Sequence, residues 1–309
     1  MKKTTVIIPT FNGKHKIVNA LASLEKQTLL PDELVIVVDG STDGTADMLR
    51  NMKLHLPSYK IIEQDNLGRA AVRNRGAKES SGELLIFLDD DMTVPTHWLQ
   101  AHSDHHEKYP KSLTSGRLVS PPISSTNDFH LYRTWLGDKW NKDIEKSTNK
   151  QGLIKFAYLT ANNFSIEKSD FIKIGGFDSR LRDLEDYDLA LRAKQLSYDI
   201  YVAEDAYACN TDTGVASCLD YIKRIKSYNL AKKTLVSLKP GIFTESDLEQ
   251  INTPNLLKRI IYWLLAHSFW LKIIDKGWLK WIPKLLRYKM YDAIIYANGV
   301  LFSEKFSIK

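Results

Sequence analysis

Leu84-Leu85-Ile86-Phe87-Leu88-Asp89-Asp90-Asp91 is the stretch on which the fold turns. Five apolar residues followed at once by three carboxylates read as a strand buried on both faces that ends at a polar edge. Working back toward the start, residues 6–9, 34–38 and 60–62 are short β-branched runs of the same kind. Between them, residues 14–27, 45–54 and 68–79 carry helical spacing. Strand-helix-strand repetition with nearly continuous apolar strands predicts an α/β fold, a parallel sheet with helices on both faces. Ligands of such sheets sit beyond the carboxyl ends of the strands. The residues there are Thr10-Phe11-Asn12, Asp39-Gly40-Ser41, Gln64-Asp65-Asn66 and Asp89-Asp90-Asp91. Turn residues are ordinary at any one strand end. Three adjacent aspartates are less so, because like charges repel unless a cation joins them. Spacing alone therefore favours a metal at that edge.

Downstream, residues 121–155 are polar with scattered aromatics (Trp135, Trp140) and read as a long loop or small insertion. Order resumes at 159–166, then Gly175-Gly176-Phe177-Asp178. Glu185-Asp186-Tyr187-Asp188 opens a helical stretch to about Gln195. Residues 198–202 and 207–209 look like strands and 216–236 like a long helix.

The chain has 309 residues, 43% apolar and 26% charged, an ordinary globular composition. Its two cysteines, Cys209 and Cys218, cannot staple a chain this long and are expected as free thiols in a reducing cytoplasm. The first apolar run is too short for a signal peptide. The net charge of +6 is unevenly placed. Residues 256–309 hold 10 Lys/Arg against three acids, and the rest holds 33 against 34. A neutral body argues against nucleic acid as a partner. A basic tail implies a separate partner for the tail.

Five segments in order resemble the signature of family 2 glycosyltransferases. They are Val6-Ile7-Ile8-Pro9-Thr10-Phe11-Asn12, Val37-Val38-Asp39-Gly40-Ser41-Thr42-Asp43-Gly44-Thr45, Asn66-Leu67-Gly68 with Arg73-Asn74-Arg75-Gly76, Phe87-Leu88-Asp89-Asp90-Asp91, and Gly175-Gly176-Phe177-Asp178 with Glu185-Asp186. The resemblance covers about residues 4–230. It implies the type A glycosyltransferase fold, a Rossmann-like, mostly parallel sheet, plus a C-terminal helical extension. Residues 1–105 would form the nucleotide-sugar-binding half, 106–236 the acceptor-binding and catalytic-base half, and 237–309 a basic, Trp-rich helical tail.

The resemblance also implies roles. Asp39 would accept a hydrogen bond from the imide N–H of uracil or thymine, with Thr10 and Asn12 lining the same pocket and Arg73 near base and phosphates. Asp89 and Asp91 form the D-x-D pair, Asp91 for direct metal contact and Asp89 for metal and ribose, with Asp90 between them on the nucleotide side. Mn²⁺ or Mg²⁺ would bridge the diphosphate of a UDP- or dTDP-sugar. Asp186 resembles the general base that deprotonates the acceptor hydroxyl, giving inversion, and Glu185 sits beside it. A saccharide or lipid-linked acceptor, in bacterial polysaccharide or glycolipid synthesis, is the expected partner. The alternative is a catalytically silent sugar-nucleotide-binding or scaffold protein of the same fold. Two departures stand out. The acidic doublet common after the second strand is Val38-Asp39, and the expected histidine is replaced by Cys209-Asn210-Thr211-Asp212, so that metal affinity is weaker or Asn210 or Asp212 substitutes.

Other readings fail on residues. A haloacid-dehalogenase phosphatase fits Asp89-x-Asp91-x-Thr93 but lacks a later strand ending in paired aspartates. A dinucleotide dehydrogenase needs a glycine-rich turn where Pro9-Thr10-Phe11-Asn12-Gly13 stands. His97, His102, His105 and His106 lack the glutamate of a zinc motif and read as an exposed histidine-rich helix face.

The tail carries four of the seven tryptophans, Trp263, Trp270, Trp278 and Trp281. In helical projection Lys272, Lys276, Lys280, Lys284 and Arg287 fall opposite Trp270, Ile274, Trp278, Trp281 and Leu285. Gly277 and Pro283 break the stretch into two or three short helices. The apolar run 260–274 is too short and too interrupted to span a bilayer. Tryptophan with lysine on an amphipathic segment predicts a tail lying on a membrane surface. The protein is thus expected in the cytoplasm, peripheral at the inner face of the cytoplasmic membrane. Packing on the catalytic domain, or in a homodimer, is the alternative.

Overall fold

The computed structural model describes residues 1–120, 127–211, 217–241 and 254–302. Strands β1 (Thr4–Thr10), β2 (Glu33–Asp39), β3 (Tyr59–Gln64) and β4 (Leu84–Leu88) lie parallel in the order β3-β2-β1-β4. Successive side chains of a strand point to opposite faces, and the two faces have separate cores. Ile7, Val35, Val37, Leu85 and Phe87 pack with α3 (Arg69–Glu79), α6 (Lys168–Ile174) and α7 (Glu185–Gln195). Val6, Ile8, Leu34, Ile36, Val38, Ile86 and Leu88 pack with α1 (Ile17–Leu24), α2 (Thr45–Asn51) and α4 (Trp98–Lys108). This is why the strands read as unbroken apolar runs.

Beyond β4 the sheet becomes mixed. β8 (Asn163–Glu167) pairs antiparallel with β4, followed by β6 (Ser112–Val119), β9 (Asp199–Asn210) and β5 (Met92–Thr93), while β7 (Leu153–Ile154) pairs with β9. The ends of β1, β2, β4, β6 and β9 share one edge, so the topology delivers the motif residues to one place. The two short strands expected at 198–202 and 207–209 are one strand. Glu204 and Asp205 interrupt its apolar pattern where the register with β6 shifts between Gly116 and Leu118, and the backbone continues through the irregularity.

Two compact units divide the chain: residues 1–121 with 140–212, and residues 122–139 with 213–309. The region expected as loop contains instead a helix, α5 (Asp128–Ser147). Its apolar positions (Phe129, Tyr132, Trp135, Leu136) do recur at helical spacing, but too sparsely among polar residues to stand out. The second unit, which takes residues 128–139 of that helix, also holds α8 (Cys218–Leu238), α9 (Leu256–Leu265), α10 (Ser268–Asp275) and α11 (Lys284–Tyr296), with a π-helical turn at Ala297–Leu301. Its core gathers Phe129, Tyr132, Cys218, Ile222, Ile274, Tyr288, Tyr291 and Ile294. Buried Asp128 accepts from Tyr291 Oη at 2.6 Å and Arg287 Nη2 at 2.9 Å, which ties α11 to α5. Among the described residues the tail is therefore three short α-helices and a π-helical turn.

The histidines of α4 correct another expectation. His102 and His106 are fully buried rather than exposed. Ser165 Oγ lies 2.8 Å from His102 Nδ1 and 2.9 Å from His106 Nε2. Asn163 Oδ1 accepts from Trp98 Nε1 at 2.9 Å and lies 3.2 Å from His102 Nε2. Burial pushes both imidazoles down, to about 4 for His102 and about 3 for His106, so both are neutral. They are internal hydrogen-bonding groups of the sheet-helix contact.

Candidate active site

The edge is built by its own turns. At the end of β1, Thr10 Oγ1 donates to Asp90 Oδ2 at 2.6 Å. Gly13 follows because a Cβ there would stand 2.1 Å from Thr10 Oγ1 and 2.4 Å from Asp90 Oδ2. Asn12, with φ of 48°, accepts from Thr42 N at 2.8 Å, and its own N–H donates to Ser41 Oγ at 3.0 Å. The turn after β1 is thus fastened to the turn after β2.

Asp39 is buried at the end of β2. Its Oδ1 accepts from Gln64 Nε2 at 2.7 Å and Leu67 N at 2.9 Å, and its Oδ2 from Gly68 N at 3.0 Å. Asp39 thereby shapes the turn that starts α3. A carboxylate has about four lone-pair sites, so Oδ2 retains room for one more donor.

Arg73 is the centre of the site's charge. It is buried, donating from Nη2 to Asp89 Oδ1 at 2.6 Å and from Nη1 to Glu185 Oε1 at 2.8 Å. Burial opposes its charge, and the two carboxylates outweigh burial and hold it ionised. Arg73 was expected near base and phosphates; in the structure its two terminal nitrogens join the end of β4 to the start of α7. One residue on, Asn74 pairs with the backbone of Phe177 in both directions, Nδ2 to the carbonyl at 2.7 Å and Oδ1 from the N–H at 2.9 Å. Gly176 (φ +63°) makes this turn possible, since a Cβ there would lie 2.9 Å from Asn74 Oδ1.

Glu185 is buried and Asp186 half-buried, both in the first turn of α7. Asp186 Oδ2 accepts from Ala161 N at 3.2 Å and Oδ1 from Tyr187 N at 2.8 Å. Burial first, and the Glu185 charge second, push the Asp186 carboxyl up to about 6. Tyr158, kept protonated by burial, lies within electrostatic reach of Asp186. Nothing local in the sequence marks it.

Asp91 Oδ2 accepts from Asn210 Nδ2 at 3.3 Å, through the pairing of β5 with β9. Thr211 donates from N and Oγ1 to the Asp91 carbonyl at 2.7 and 2.9 Å. Asn210, one of the two residues expected to substitute for a histidine, thus contacts Asp91; Asp212 lies outside the described residues. Among the described residues no group of three or more His, Cys, Asp or Glu forms a cage for a metal ion. The oxygens near this edge are carboxylate and amide, a set that would suit a hard cation shared with phosphates. The structure brings Asp89, Arg73 and Glu185 together directly, joins Thr10 to Asp90, and leaves Asn12 and Asp39 as builders of the adjacent turns.

Comparison with known proteins fits this geometry. The family description "Glycosyl transferase family 2" matches residues 5–175, more than half of the chain. The "Uncharacterized glycosyltransferase YfnE" of Bacillus subtilis (strain 168) is 25% identical over 252 residues, which cover 66% of this chain and 63% of that protein. The "Glycosyltransferase AglE" of Haloferax volcanii is 26% identical over 209 residues, covering 67% of this chain and 66% of its own length. The chain thus spans a little under two thirds of the length of these two relatives. The mannosyltransferase PcManGT from Pyrobaculum calidifontis, solved with GDP-Man and Mn²⁺, superposes with a TM-score of 0.63 at 16% identity, over 98% of this chain and 88% of that one. S. aureus TarS 1-349, solved with UDP, gives 0.53 at 17% identity, over 99% and 93%. At such identities the likeness establishes the type A fold alone. The motifs carried to one sheet edge, and a family match across most of the sheet that carries them, make this chain a member of glycosyl transferase family 2.

Proposed function

We propose that this protein is an inverting, divalent-metal-dependent glycosyltransferase that moves a sugar from a UDP- or dTDP-sugar to an acceptor hydroxyl. The observation that carries the reading is the Asp89–Arg73–Glu185 ion-pair chain, which joins the D-x-D strand end to the helix turn bearing Asp186. Asp186 takes the proton of the acceptor hydroxyl while the acceptor oxygen bonds to the anomeric carbon and the carbon–phosphate-oxygen bond breaks. The nucleoside diphosphate leaves on the opposite face, so configuration inverts. A carboxyl raised to about 6 suits a base that works near neutral pH. Asp91, with Asp89 and the Asn210 amide beside it, is the set that would hold Mn²⁺ or Mg²⁺ jointly with the donor phosphates. When bound there, the cation supplies charge neutralisation of the leaving diphosphate. The remaining site on Asp39 Oδ2 suits an imide N–H, which supports a uracil or thymine base.

The acceptor we assign is a saccharide or lipid-linked saccharide of a bacterial polysaccharide or glycolipid. The enzyme is placed in the cytoplasm, peripheral at the inner face of the cytoplasmic membrane. Among the described residues no helix is long and apolar enough to cross a membrane, while the tail exposes apolar and basic groups. A panel of nucleotide sugars, assayed with and without Mn²⁺ and with product anomers read by NMR, tests the reading. Retained configuration, or no turnover with any uridine or thymidine donor, would overturn it.

A further inference from the structure

We infer that the outer face of α9, with the corner formed by residues 277–286, is a surface built to lie flat in the interface of an anionic lipid bilayer. This deepens the peripheral placement above and rests on it. It uses no residue of the candidate active site.

The sequence Leu256-Leu257-Lys258-Arg259-Ile260-Ile261-Tyr262-Trp263-Leu264-Leu265 is almost wholly apolar, yet no residue of α9 is buried against the described residues. Leu256, Ile260 and Leu264 follow one another at helical spacing and are 77%, 51% and 58% exposed. Leu257 and Ile261 widen the same stripe. The helix is nonetheless anchored along its other side. Tyr262 meets the Tyr296 ring at 5.3 Å, and the Leu264 and Leu265 carbonyls accept from Trp270 Nε1 and Asn298 Nδ2, each at 3.0 Å. Its exposed stripe is therefore a fixed feature of a folded unit. At the corner, Leu279 and Ile282 turn into the core while Trp278, Trp281, Leu285 and Leu286 face outward. Trp281 is 81% exposed, and the Lys276 ammonium sits 4.9 Å over the Trp278 ring. Large apolar side chains exposed in a stripe on α9 and again at the corner mark a contact site.

Charge selects the occupant. Lys258 and Arg259 flank the α9 stripe, and Lys272, Lys280 and Lys284 are exposed around the corner. The two acids among the described residues of the tail are engaged internally, Asp275 with Cys218 N at 2.7 Å and Asp292 with Tyr132 Oη at 2.5 Å. Two copies meeting through this face would oppose like charges; anionic lipid would oppose unlike ones. Spanning is excluded by length, since a helix of 10 residues is about 15 Å long, half of a ~30 Å hydrocarbon core. Tryptophan and lysine around an apolar stripe is the composition of an in-plane helix.

The test uses the full chain and vesicles of phosphatidylcholine with or without an equal part of phosphatidylglycerol. The expected result is sedimentation with the anionic vesicles at about 50 mM salt, weakened about tenfold or more at about 500 mM, and none with phosphatidylcholine alone. The double variant Ile260→Glu/Leu264→Glu alters only exposed side chains. It is expected to lose vesicle binding about tenfold or more, with UDP affinity and melting temperature unchanged. Absence of binding at low salt, or equal binding by the variant, would overturn the inference. So would a dimer that the double variant dissolves without any vesicle binding, which would assign the face to a second copy. Loss of UDP binding in the wild type would count against the proposed function instead.

Discussion

Arg73 and Glu185 form a 2.8 Å ion pair in which each side chain is about 5% exposed, across 112 positions of sequence. Removing one partner of such a pair leaves a buried charge uncompensated, which typically costs about 3–5 kcal/mol. Arg73→Ala is therefore expected to destabilise strongly in urea titration. Arg73→Lys should not rescue it, because one ammonium lacks the fork that reaches Asp89 and Glu185 together. An alanine variant within about 1 kcal/mol of wild type would show that the pair is incidental.

Gly176→Ala places a methyl against Asn74 Oδ1 at a backbone conformation that L residues avoid. A cost of about 1–3 kcal/mol is expected, together with loosening of the Asn74–Phe177 pairing beside Arg73. Turnover should fall more than UDP affinity does. Equal loss of both would mean that this turn serves the donor.

His102 and His106 set an acid limit on stability. Their folded values, about 4 and about 3, lie below the ordinary 6.5. The stability they contribute is present above pH 6.5 and is lost as pH falls toward 4, because the unfolded chain binds the protons first. By pH 5 the loss is about 2 kcal/mol for each. Denaturation midpoints between pH 7.5 and 5 should fall steeply in wild type and less so in His106→Gln. Parallel slopes would contradict this.

The strand ends, the D-x-D cluster and the Glu185-Asp186 pair were legible in the sequence because each is local, an apolar run stopped by acids or a helix opened by them. The helix α5 was not legible, since Phe129 and Tyr132 make its buried face with little help from neighbours. Nor were the hydrogen-bond partners of Arg73, Asp39 and the α4 histidines. An arginine in a helix reads as solvated unless its partners are known, and here they lie at 89 and 185. Asp39 was assigned to the base by resemblance; its three hydrogen bonds to 64, 67 and 68 depend on a turn that no local pattern announces.

The proposed metal dependence centres on Asp91. UDP is expected to bind far more tightly with Mn²⁺ or Mg²⁺ than with chelator, and Asp91→Ala to remove most of that gain. Asn210→Ala should weaken it less, because the proposed set then loses one neutral amide and keeps both carboxylates. Calorimetry showing equal UDP affinity with and without metal would refute the assignment.

The central claim is that Asp186 is the general base. Its carboxyl must be ionised to act, so kcat/KM is expected to fall with unit slope below about pH 6. Burial and Glu185 make ionisation work against folding: the stability of the neutral form is present below about pH 4 and lost as pH rises through 6. Asp186→Asn keeps the shape and removes the basicity. The decisive measurement is sugar transfer by Asp186→Asn beside calorimetric UDP binding to the same protein. Unchanged UDP affinity with turnover reduced about 10²-fold or more is the expected result; turnover close to wild type would contradict the account.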